Sequence, residues 1–223
     1  MRDLVVLRSS SGPIDPAEHD LGRVVERVCE GGSDVPVLDL PHPSADARRR
    51  FDFDFPIQID ALAWLPVGEA LPDAWAARFD ESFRYTVAKT VGWPAPTEDE
   101  ASPDDVVKQV SFLHGADGYT LDAFRAHYRD HVGVARKYMP ALWQYVQNDV
   151  EAIRGDAPEA RGVLAVSELW FRTTDDFVNR YFPSEEDQRA FSSHEGFLDL
   201  RFATSFVCAS ARPSSPETET DAA

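Results

Sequence analysis

The segment that most restricts the fold runs from Thr120 to Pro140, because its apolar residues recur on one side of a helix and demand a flat apolar surface to pack on. Leu121, Phe124, Tyr128, His131, Ala135 and Tyr138 fall at helical spacing. Thr120 is a good N-cap, Asp122 suits the positive end of the helix dipole, and Pro140 stops the helix. His131 is the one imidazole on a stripe that otherwise wants to be dry.

The elements around this helix repeat an order found earlier in the chain. In the second half, Val106 to Leu113 reads as a strand, Leu121 to Tyr138 as the helix, and Trp143 to Val150 and Val163 to Phe171 as strands. A helix from Asp175 to Tyr181 and a strand from Ala203 to Ala209 complete it. In the first half the strands are Leu4 to Leu7, Val35 to Leu40, Ile57 to Leu65 and Phe83 to Val91. Its helices follow Pro16 as far as Gly31-Gly32 and run from Pro72 to Phe79. Phe51-Asp-Phe-Asp-Phe55 alternates as an exposed strand or flap would.

Both halves therefore read βαββαβ, the split βαβ arrangement of a ferredoxin-like unit. Such a sheet carries helices on one face only, so two units in one chain can cover each other's bare faces. The expected fold is α+β, with two tandem ferredoxin-like units closing an intramolecular α+β barrel. The expected divisions are a divergent unit over 1–92, an acidic proline-rich linker over 93–104, a second unit over 105–210 and a disordered tail over 211–223.

Composition narrows the partners. The 223 residues hold 22 basic against 39 acidic side chains, a formal charge of -17, so nucleic acid and anionic membranes are repelled. No apolar run approaches the ~18 residues of a membrane span, and the N-terminal apolar stretch is too short for a secretion signal. Cys29 and Cys208 are the two cysteines, too few for a disulfide framework, and a cytoplasmic protein is expected. There is no phosphate loop, nucleotide fingerprint, Cys/His metal cluster or Gly-x-Ser-x-Gly elbow, which argues against phosphoryl transfer, hydride transfer and serine hydrolysis.

The second half resembles an EthD domain of the dimeric α+β barrel superfamily. The resemblance is carried by Phe124, Tyr128, His131 and Ala135, by Tyr145-Val-Gln-Asn-Asp-Val150, and by Glu168-Leu-Trp-Phe171 with Asp175-Asp176-Phe177. The first half shares only the element order; Leu62 stands where Glu168 would align, and its first helix has no counterpart of His131. The resemblance implies a cofactor-independent enzyme of lyase or isomerase type, one that cyclises, dehydrates or rearranges a polyketide-like or aromatic small molecule. Two alternatives stand beside it: a cofactor-free or haem-binding oxidative enzyme, and a non-catalytic small-molecule binder.

On this reading His131 is the general acid/base within the barrel cavity, since a neutral imidazole moves protons in either direction near pH 7. Glu168 orients it or acts as a second base, and Asn148 or Tyr145 holds a carbonyl or enolate oxygen. Asn148 and Tyr145 lie on opposite faces of one strand, so at most one lines the cavity. Trp143, Trp170, Tyr128 and His114 are further substrate-binding candidates. His127 and His131 have a metal-ligand spacing but no obvious third ligand, so no metal is expected, and the resemblance implies that no cofactor is bound. Each candidate has a plainer role as a hydrogen-bonded core residue or a surface histidine. Exposed sheet edges leave a homodimer open.

Overall fold

Alternation along the strands decides this architecture. On strand β7 (Val163–Phe171), Ser167, Leu169 and Phe171 turn to one side, while Val166, Glu168 and Trp170 turn to the other. Both sides are buried, so the sheet must be covered on both faces. The computed structural model describes residues 1–9, 36–42, 44–49, 57–93, 106–155 and 158–210. The helix expected after Pro16, the Phe51-to-Phe55 stretch, most of the acidic linker, the tail and Cys29 lie outside these residues.

The other strands are β1 (Arg2–Ser9), β2 (Val37–Pro41), β3 (Ala61–Pro66), β4 (Phe79–Trp93), β5 (Val107–His114), β6 (Leu142–Arg154) and β8 (Thr204–Ser210). All neighbours pair antiparallel in a closed eight-stranded barrel of order β1-β3-β2-β8-β5-β7-β6-β4. The four strands of the first half thus run β4-β1-β3-β2 and those of the second β8-β5-β7-β6. Two seams join the halves. The long one pairs β4 with β6 from Arg84 to Trp93, and the short one pairs Asp39–Pro41 of β2 with Cys208–Ser210 of β8.

The lumen is solid. Leu4, Val6, Leu62, Trp64, Phe83, Tyr85, Val110, Phe112, Val166 and Phe206, from strands all around the barrel, pack together inside it. Eight strands leave an interior that side chains can just fill. The expectation of a cavity enclosed between the two sheets is corrected accordingly.

The helices lie outside. They are α1 (Ala45–Arg49), α2 (Asp73–Ala76), α3 (Leu121–Tyr138), α4 (Thr174–Asn179) and α5 (Glu185–Ser192). As its sequence demands, α3 is capped by the Thr120 side chain accepting from the Ala123 N–H, and buries Phe124, Tyr128, His131 and Ala135. Leu121 departs from the expected stripe, 44% exposed in the first helical turn. The helix α5 was not anticipated; Ser184 caps it, followed by three acidic residues. No helix of the described residues is long and apolar enough to cross a membrane.

Candidate active site

Between α3, α5 and the outer face of β5, β7 and β8 lies a cleft with two compartments. The outer one, about 520 Å³, is open to solvent past Phe182, Leu200 and Ala203. The inner one, about 80 Å³, reaches down to Tyr128, His131, Tyr145 and Ser167. Gln109, Ser111, Leu113, Tyr181, Phe191, Glu195 and Leu198 line both, so the two are continuous.

One wall is aromatic. The His131 ring packs 5.0 Å from Phe191 and 5.4 Å from Phe197, centroid to centroid. The imidazole is buried, and its Nδ1 has no hydrogen-bond partner. Burial, reinforced by the neighbouring His127 and His194, lowers its pKa to about 4, so at neutral pH the ring is uncharged. Burial also pushes the Tyr128 phenol well up and that of Tyr145 to about 12, keeping both protonated.

The opposite floor is polar. The Tyr181 hydroxyl donates to Gln109 Oε1 at 2.9 Å, and Gln109 Nε2 donates to the Ser111 hydroxyl at 2.9 Å. The Ser111 and Ser205 hydroxyls lie 2.8 Å apart. An aromatic wall over a hydroxyl-and-amide floor suits a flat molecule with oxygen along one edge.

The remaining sequence candidates are elsewhere. Glu168, Asn148 and Trp170 face the lumen, on the far side of the sheet from His131. There Glu168 Oε2 lies 3.0 Å from Lys108 Nζ, and Oε1 pairs with Arg2 and accepts from Asn148 Nδ2 at 3.0 Å. Lys108 reaches Asp39 at 2.6 Å, and Trp64 Nε1 donates to the same Asp39 oxygen at 2.7 Å. The ammonium sits between Trp64 and Trp170, at 4.8 and 4.7 Å from their rings. Burial alone would raise the Glu168 pKa; Lys108 and Arg2 overcome it and hold the carboxyl down to about 2.

His131, Tyr128 and Tyr145 are therefore brought together, whereas Glu168 and Asn148 are kept from them by the sheet. A His131–Glu168 acid–base pair does not form. Trp143 lines a separate surface groove with Arg172 and Arg180. His114, at the end of β5, is half-buried and packs on Phe202 at 5.8 Å. Glu195 is the cleft residue that the sequence analysis overlooked. It follows α5 in a turn, and burial raises its carboxyl to about 7 against a small opposing effect of Ser192.

Known proteins share parts of this architecture. The EthD domain model matches residues 116–201, which include α3, β6, β7, α4 and α5. No curated protein matches the sequence. Among solved structures, a protein of Lactobacillus acidophilus NCFM described as a candidate monooxygenase is 6% identical, with a TM-score of 0.52 over 95% of this chain and 93% of that one. Another so described, from Fusobacterium nucleatum subsp. nucleatum, is 4% identical, with a TM-score of 0.50 over 95% and 91%. An anthrone oxidase-like protein is 12% identical, with a TM-score of 0.49 over 96% of each chain. At these identities the likeness is one of fold. Residues 116–201 of this chain match the EthD domain model, and they are built into one half of a closed barrel.

Proposed function

We propose that the cleft binds an electron-rich aromatic small molecule and oxidises it with molecular oxygen. The observation that carries this reading is the aromatic wall that ends on His131, an uncharged ring whose buried Nδ1 has no hydrogen-bond partner among the described residues. A phenol or activated methylene bound there loses a proton more easily than a saturated substrate. The carbanion or phenolate so formed is electron-rich enough to react with oxygen directly, and exclusion of water protects it from reprotonation. The monooxygenase descriptions of the matched folds support the same reading.

Cyclisation or dehydration, which the EthD resemblance implied, is corrected on two grounds. Two of the matched folds are described as monooxygenases. The acid–base set that lyase chemistry was to use is divided by the sheet. The strand orders of the two halves support, in addition, the reading of the barrel as two ferredoxin-like units in tandem.

A haem held by His131 is the other oxidative alternative. The inner compartment at His131, about 80 Å³, has room for the edge of a flat ring entering from the outer compartment but not for the face of a macrocycle over the imidazole, so the residues present do not fit haem.

Anthrone, whose ring methylene is acidic and whose product is a stable quinone, is a suitable probe. Dialysed protein is expected to accelerate oxygen uptake with anthrone and to place one atom of isotopically labelled oxygen in the new carbonyl. Uptake no faster than in buffer, with binding intact, would leave the cleft as a binding site only.

A further inference from the structure

A carboxylate withdrawn from water is ordinarily paired, as Glu168 is by Lys108 and Arg2. Glu195 is not. Its side chain is partly buried and lines both compartments of the cleft, and among the described residues it makes no ion pair. No lysine or arginine lines either compartment. Its backbone is pinned: the Glu195 N–H donates to Ser192 O at 3.1 Å, and the Leu198 N–H donates to Glu195 O at 2.8 Å. The carboxyl is thus carried over the cleft by a turn, with the Ser192 side chain as its hydrogen-bond partner and, among the described residues, no cation beside it. The titratable groups sharing the cleft are His131 and Tyr128 from α3, Tyr145 from β6 and Tyr181 ahead of α5, with His127 and His194 flanking His131.

We propose that Glu195 is the base that takes the substrate proton, and that Gln109, Ser111 and Ser205 hold the oxygenated edge of a hydroxylated fused-ring aromatic beside it. This rests on the oxidative reading for the later steps, though not for the proton transfer itself. An imidazole that protonates only near pH 4 is a weak base at neutral pH. A carboxyl that titrates near 7 is close to the optimum for general-base work.

The substrate C–H or O–H bond breaks, its proton goes to a Glu195 oxygen, and the electron pair stays on the aromatic. For an acidic methylene the carbanion adds oxygen, and the proton returns from Glu195 to give a hydroperoxide. Loss of water from the hydroperoxide leaves a carbonyl. One methylene and one O₂ thus give one carbonyl and one water, with oxygen as the oxidant. His131, uncharged, is the neutral hydrogen-bonding neighbour of the reacting edge.

A hydroxyanthraquinone, whose visible absorption moves to the red when its phenol ionises, tests the base without turnover. Bound to the wild-type protein near neutral pH it is expected to shift red. Glu195→Gln, nearly isosteric, is expected to bind it within about threefold but without the shift. With anthrone, Glu195→Gln is expected to lose on the order of 100-fold in kcat. It should also flatten a kcat/KM profile that rises with a midpoint near pH 7 in the wild type, and Glu195→Asp restores part of both. A red shift that survives in Glu195→Gln, or failure of the probe to bind the wild type, overturns the proposal. A Glu195-dependent shift without oxygen uptake leaves the base in place and removes the oxidative reading.

Discussion

Glu168 and Glu195 lie on opposite faces of one barrel wall, and the wall gives them opposite properties. In the lumen Glu168 is fully enclosed, meets two cations and an amide, and is held ionised down to about pH 2. Beyond α5, Glu195 is less buried yet meets no cation among the described residues, and its carboxyl is raised to about 7. Burial acts in the same direction on both, so the difference comes from the partners. A glutamate whose charge is already neutralised cannot accept a substrate proton near pH 7. One left without a counter-ion is poised to do so.

The largest test of this contrast is Lys108→Ala. It leaves Glu168 and Asp39 short of their shared cation in a filled lumen, and a loss of about 3–5 kcal/mol is expected in urea unfolding. An unchanged midpoint would mean that the lumen network is not what fixes Glu168.

Glu195→Gln should act in the other direction. The wild-type fold raises this carboxyl above its unfolded value of 4.5, so the folded state binds the extra proton and stability falls as pH rises from about 4.5 through 7. The variant is expected to gain roughly 2–3 kcal/mol relative to wild type between pH 5 and 8.5, measured by parallel denaturant curves.

The smallest expected effect is at His131. Its pKa is lowered to about 4 from 6.5, so wild-type stability is full above about 6.5 and declines as pH falls toward 4. His131→Phe is therefore expected to gain about 2 kcal/mol on wild type between pH 8 and pH 5. A pH-independent difference would show that the ring is not held neutral.

Much of the frame was legible in the sequence. The helix α3 announces itself by Thr120, Pro140 and its spacing, and the burial of His131 follows from that spacing. Parity along β6 requires Tyr145 and Asn148 to face opposite ways. Which way each faces depends on how the barrel closes, and no local pattern encodes closure. The discomfort of Glu168 as a lone strand acid was visible; its partners Lys108 and Arg2 were not, because they arrive from distant strands across the lumen. The helix α5 did carry a signature in Ser184 followed by Glu185, Glu186 and Asp187. Glu195 carried none, since its role comes from a turn being fixed above a cleft formed by other elements.

The barrel closes unequally, and the lumen compensates. At the short seam, among the described residues, the pairing of Asp39–Pro41 with Cys208–Ser210 and the His42 N–H donating to Val207 O at 3.0 Å hold the two halves edge to edge. The Asp39–Lys108 pair spans that joint from behind, running from β2 past β8 to β5. The ionic network inside the barrel therefore serves as a rivet across its narrowest weld. Neutralising it would loosen β8, whose other face carries Ser205 at the floor of the cleft, and so carry damage from the lumen to the ligand side.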